Sequence, residues 1–226
     1  MTDQQTDEAM SCAGNPHLST PAMDRIAARG VRFARSYVTQ PLCLPCRSSI
    51  QTGRYPHEIG TSTNGTEMNG EYPMLGNLLR DGGYDTAYFG KWHVAASFEA
   101  AGYPTDSEDI RSDSVAADKA IEYLHAPRDK PFFLTVSIRN PHDVCQLARK
   151  QELPQGPIPP VPDAEAQLPP LPANFAIPEN EPTAIRMSQE RHRDFHYPTG
   201  DWTDLEWRQY LWGYYRLVEK ADQEIG

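Results

Sequence analysis

The stretch KPFFLTVSIRN, residues 130–140, is apolar with almost no alternation. A strand with one wet face alternates apolar and polar residues, whereas a continuous run predicts a strand covered on both faces. Such a strand needs helical layers above and below it, and the flanking sequence supplies them. Thr20 and Pro21 open a helix over 21–29 that Gly30 closes, with Met23, Ile26 and Ala27 on one face. VRFARSYV (31–38) alternates and predicts a strand. Pro45 pre-sets the first turn of a helix over about 45–52, ended by Gly53. YPMLGNLLRDGG reads as a helix stopped by glycines, and YDTAYFG as a strand. Residues 112–125 predict a helix with Ala117, Ala120, Ile121 and Leu124 as its apolar stripe. Helices alternating with buried strands give an α/β fold with a mostly parallel sheet.

That order stops at residue 154. Residues 154–182 hold ten of the 21 prolines, which excludes regular structure over most of that length. Leu153, Leu168, Leu171, Phe175 and Ile177 give the tract anchors, so an ordered surface excursion over about 153–200 is expected rather than a disordered linker. A last helix follows. Thr203 and Glu206 form a capping box, and Trp207, Leu211, Tyr214, Val218, Ala221 and Ile225 recur at 4-3-4-3-4 spacing as a packing stripe.

With 226 residues the chain can bury a sizeable core. Its net charge of −10 argues against nucleic acid as a partner, since phosphate binding needs a basic face. No run of about 18 apolar residues predicts a membrane span. Four cysteines do not make a disulfide framework.

Two of those cysteines stand three apart, Cys43-Leu44-Pro45-Cys46. A redox pair at a helix start follows the first strand of a βαβ unit, and its chemistry has no use for Arg47 or for Thr52-Gly53-Arg54. A zinc site needs two further ligands at close spacing, and Cys12 and Cys145 are scattered. The pattern that fits is Cys-x-Pro-x-Arg followed by Thr-Gly.

Here the sequence resembles the type I, formylglycine-dependent sulfatases. Their signature C-x-P-[SC]-R-x-x-x-x-T-G is occupied in order by Cys43, Pro45, Arg47, Thr52 and Gly53. MTDQQ at the start looks like the metal-binding end of the family's first strand, and residues 15–43 resemble the stretch that links it to the cysteine. GKWH (90–93) and NPHD (140–143) are the next two family motifs, and WRQYLWGYYRLVEKADQEIG resembles a long helix further on. The resemblance covers essentially all 226 residues.

It implies an alkaline-phosphatase-like sulfatase core. It also implies hydrolysis of sulfate esters, from an aryl sulfate, another sulfated small molecule or a sulfated glycan. Cys43 would be converted by a formylglycine-generating enzyme to an aldehyde that hydrates to a geminal diol. One hydroxyl attacks sulfur and expels the alcohol, and loss of a proton from the second releases sulfate. Cys46, where serine is commoner, is a bystander to that chemistry. Arg47 would hold the ionised nucleophile, and Lys91 would contact both sulfate and nucleophile. His93 would take the proton that releases sulfate, and His142 would bind sulfate or protonate the leaving oxygen. Taken singly, a lysine or a histidine at these places is an ordinary side chain; the ordered motifs single them out. Asp3 and Gln4, with residue 43, would hold a divalent cation, Ca²⁺ in most members and Mg²⁺ in some. Many members carry a second Asp at Gln4.

The family also has downstream metal ligands, an Asp followed by Asn or His and usually Gly, and a further lysine. No such motif occurs here, and an apolar strand is expected ahead of MTDQQ. The expectation is thus the N-terminal part of a sulfatase catalytic domain over 1–226, cut at both ends. Two alternatives accompany it: a phosphonate or phosphate ester hydrolase with the same signature, and an inactive fragment.

Overall fold

A computed structural model describes residues 1–104, 107–192 and 197–226, with the side chain of residue 192 also left aside. Its elements run α1 (Pro21–Arg29), α2 (Cys43–Thr52), α3 (Leu75–Asp81), β1 (Asp85–Gly90), α4 (Asp113–His125), β2 (Phe132–Ser137), α5 (Val144–Ala148), α6 (Thr183–His192) and α7 (Asp204–Ile225). They fall into two compact units, one of residues 1–3 and 31–139, the other of residues 4–30 and 140–226.

The first unit is built on a parallel pair. β1 and β2 run from Asp85 opposite Phe132 to Gly90 opposite Ser137. A parallel pair needs a crossover, and α4 supplies it. Every residue of β1 after Asp85 is buried, so β1 is the strand covered on both faces; β2 is less covered than its composition predicts. Glu108 bridges the far side of β1 at Phe89. On the outer side of β2, the Met1 nitrogen donates to the Val136 carbonyl (2.6 Å) and Ile138 N donates to the Met1 carbonyl (2.8 Å). That is the spacing of a parallel ladder, and it carries Asp3 to the carboxyl ends of the strands. Gly90 has φ +98°, and a Cβ there would lie 2.1 Å from the Ser137 carbonyl oxygen, so only glycine lets the two strand ends meet.

Two expectations for this unit are corrected. Residues 31–38 form no strand: they are exposed throughout, and residues 31–39 make no backbone–backbone hydrogen bond among the described residues. The alternation is present, but a strand exists only where a neighbour accepts its hydrogen bonds. In α4 the buried stripe is Ala116 and Ala120, packed with Tyr123 against Ala87 and Phe89, while Ile121 and Leu124 face solvent. The small residues win because they let the helix backbone approach the sheet closely.

The second unit is organised by α7, whose capping box forms as predicted, with the Thr203 hydroxyl accepting from Glu206 N. Tyr214, Leu217 and Val218 form a core cluster with Ala9, Leu18, Val144 and Cys145, and Ala221 is also fully buried. Thr20 precedes α1 without capping it by its side chain. The carboxylate of buried Asp222 takes that role, accepting from Ala22 N (3.0 Å) and Met23 N (2.8 Å). The face predicted for α1 is only partly buried, with Ile26 exposed.

The proline tract is hydrogen-bonded to α7 at two places, while Phe175 and Ile177, two of its expected anchors, are exposed and residues 193–196 of the expected excursion lie outside the described residues. Lys220 Nζ donates to the carbonyls of Gln155 (2.5 Å), Gly156 (2.9 Å) and Pro157 (3.2 Å). Arg208 reaches the carbonyls of Glu165, Leu168 and Pro169 and the Glu165 carboxylate. Proline-rich backbone is short of donors, so donor-only side chains suit its surplus carbonyls. Among the described residues no helix is long and apolar enough to cross a membrane.

Candidate functional site

α2 begins at Cys43 itself, with Pro45 in the first turn and Gly53 (φ +67°) as the left-handed stop. Cys43 is half-buried at the amino end of the helix, where backbone N–H groups and the helix dipole favour an anion. The loop over it is fixed by Asn64, whose side-chain oxygen accepts from Leu44 N at 3.0 Å.

Arg47, one turn further, is 4 % exposed. Its Nη1 lies 3.1 Å from the Tyr88 hydroxyl, 2.6 Å from the Lys91 carbonyl and 2.9 Å from Ser137 Oγ. The Tyr88 hydroxyl in turn donates to the Lys91 carbonyl at 2.7 Å. Burial pushes the Tyr88 phenol up from its ordinary pKa, against the pull of the guanidinium, so it stays a donor. Arg47 is therefore locked by the carboxyl ends of both strands.

Lys91 follows β1 directly and is equally buried. Its ammonium forms an ion pair with the Asp3 carboxylate and lies 3.5 Å from Cys43 Sγ. The Arg47 guanidinium stands 3.6 Å from the other Asp3 oxygen. Two cations and one carboxylate thus share a buried corner around the Cys43 side chain, leaving it net positive on an acidic chain. A corner of that kind holds a dianion and stabilises charge that develops during its transfer.

Trp92 separates Lys91 from His93 by burying its ring against Tyr88, Phe98 and Tyr103. Its indole N–H donates to the Ala96 carbonyl at 2.6 Å, and Ala95 N donates to Ser48 Oγ on α2 at 3.2 Å. These anchors hold His93 half-buried at φ +45°, a backbone conformation uncommon outside glycine. Burial, then the charges of Lys91 and Arg47, lower the His93 pKa from its ordinary value. The imidazole is therefore neutral and able to accept a proton at neutral pH. Cys46, half-buried on α2, has its thiol pKa raised by burial, with Arg47 acting the other way.

The first unit thus brings together Asp3, Cys43, Arg47 and Lys91, with His93 two residues on from Lys91. Gln4 and His142 belong to the second unit. Gln4 has φ +64°, its carbonyl accepts from the Tyr214 hydroxyl at 2.9 Å, and its amide lies 3.6 Å from Cys145 Sγ. His142 is half-buried, two residues ahead of α5, and its carbonyl accepts from Cys145 N. Sequence reasoning missed Tyr88 and Ser137 as supports of Arg47. The available signal was a tyrosine inside an otherwise apolar buried strand, because a buried phenol needs a polar partner.

A buried, net-positive corner thus lies at the amino end of a helix and the carboxyl ends of parallel strands in an α/β fold. The sulfatase family model matches residues 1–226, and the chain belongs to that family. Among curated relatives, the N-acetylglucosamine-6-O-sulfatase of Bacteroides thetaiotaomicron is 34% identical over 165 residues, covering 63% of this chain and 30% of that protein. The Delta 4,5-hexuronate-2-O-sulfatase of the same organism is 25% identical over 243 residues, covering 99% of this chain and 49% of that protein. The structure of a 2-O GAG sulfatase superposes with a TM-score of 0.81 at 25% identity, covering 100% of this chain and 52% of that one. The chain therefore spans about half or less of the length of these relatives.

Proposed function

We propose that the protein hydrolyses sulfate esters, on a sulfated sugar or an aryl alcohol, with a nucleophile made from Cys43. The observation that carries this reading is the contact of Lys91 with both Asp3 and Cys43, where Cys43 opens the helix on which Arg47 is buried. The named substrates of both curated relatives, sulfated sugars, favour a carbohydrate ester.

Lys91 binds a sulfate oxygen and holds residue 43 in place, and Arg47 stabilises negative charge at the same side chain. His93, kept neutral by its surroundings, withdraws the proton whose loss releases sulfate. His142 binds sulfate or protonates the departing oxygen. The formylglycine aldehyde, once made, supplies two geminal hydroxyls where a thiol offers one sulfur. A divalent cation fits the donors: the Asp3 carboxylate and the Gln4 amide are hard oxygen ligands, and conversion replaces the soft Cys43 sulfur by oxygen. Asp3, Gln4 and residue 43 would hold Ca²⁺, or Mg²⁺, which supplies positive charge against the sulfate.

The test is co-expression with a formylglycine-generating enzyme, followed by assay on one aryl sulfate and one aryl phosphonate. Turnover of the sulfate should vanish in Cys43→Ala and persist in Cys46→Ser. Preference for the phosphonate would move the assignment to phosphorus. Equal loss in both variants would overturn the single-nucleophile reading.

A further inference from the structure

We propose that Cys43 and Cys46 are an oxidisable pair that closes into a disulfide across the first turn of α2, and that this closure blocks conversion of Cys43. Both thiols are free and half-buried, and they hold the first and fourth positions of the helix. Three residues of α-helix rise about 4.5 Å with a lateral offset of about 2.3 Å, which puts the two Cα atoms about 5 Å apart. Disulfides span Cα separations of about 4.4–6.8 Å, and this spacing falls within that range. Side chains three apart also share a helix face. The turn is already formed, since Cys46 N donates to the Leu42 carbonyl at 3.0 Å, and Pro45 stiffens it.

The oxidant is a small-molecule disulfide of the glutathione class. The Cys43 sulfur attacks one of its sulfurs, forming a mixed disulfide and releasing one thiol. The Cys46 sulfur then displaces the second thiol and closes the ring. One S–S bond is broken and one made, two protein S–H protons end on the released thiols, and two electrons pass to the reagent. The block on maturation rests on the proposed use of Cys43; the disulfide does not.

The experiment equilibrates the 226-residue chain with oxidised and reduced glutathione at fixed ratios. Intact mass, thiol titration and peptide mapping follow, and then exposure to a formylglycine-generating enzyme. The expected result is loss of two of the four thiols, a Cys43–Cys46 linked peptide, and full reversal by dithiothreitol. Conversion at residue 43 should fall at least tenfold in the oxidised chain. Cys46→Ser and Cys46→Ala should be converted equally after oxidation and reversal. A linkage through Cys12 or Cys145, or glutathione left on Cys43 without ring closure, would overturn the pair. Equal conversion of the cross-linked and reduced chains would overturn the block. If the reduced chain were not converted at all, the nucleophile assignment would fail while the mapped disulfide stood.

Discussion

Residues 31–39 and helix α2 are near neighbours in sequence, and both carry a clear local pattern, yet only one is held by the rest of its unit. In α2 the pattern is completed at short range. Its first turn, its stop at Gly53 and the burial of Arg47 among the Tyr88, Lys91 and Ser137 oxygens are all satisfied. In 31–39 the alternation is as good, but Val31, Phe33 and Tyr37 are 79, 77 and 87 % exposed. A helix closes its hydrogen bonds within itself, whereas a strand borrows them from a neighbour. The lesson is that equal patterning does not mean equal structural commitment.

The contrast breaks most sharply at Arg47. Arg47→Ala takes the guanidinium from Ser137 Oγ, the Tyr88 hydroxyl and the Lys91 carbonyl and weakens the neutralisation of buried Asp3, so it should cost about 3–5 kcal/mol in urea denaturation. A loss below about 1 kcal/mol would mean that the corner is wetter than its burial implies.

His93 is the intermediate case. Its folded-state pKa lies below the ordinary histidine value, so near neutrality the imidazole is neutral in both folded and unfolded chains. As pH falls through the ordinary value, the unfolded chain takes up the proton first, and stability drops until the folded pKa is passed. NMR titration should place the His93 midpoint below that of an exposed histidine. His93→Gln should remove part of the acid-side loss of stability. A midpoint at or above the ordinary value would contradict the burial described here.

The smallest effect belongs to the exposed segment. Phe33→Ser and Tyr37→Ser should change stability by no more than about 0.5 kcal/mol. Amides 31–39 should exchange with deuterium far faster than those of β1. Slow exchange there would show that the segment has found a strand partner in solution.

What could be read in advance follows the same division. The α7 capping box, the glycine stop of α2 and the helix–strand succession 75–90 are local, and all formed. The α4 stripe went to Ala116 and Ala120 because the sheet chose the face of closest approach, which spacing alone does not rank. The motifs named Asp3, Cys43, Arg47 and Lys91, and the first unit brings these four together. The Tyr88 and Ser137 supports were hidden because each owes its role to the other strand's end.

The two pins of the proline tract have a consequence for how its length can vary. Arg208 and Lys220 are twelve residues apart on one helix, a span of about 18 Å. The eight steps of chain from Pro157 to Glu165 reach at most about 28 Å when stretched. The connection therefore has slack of about three residues and no more. Insertions between the pins would bulge into solvent at little cost, whereas deletion of four residues would tear one anchor loose. The helix acts as a fixed ruler, setting a minimum length for the tract and no maximum.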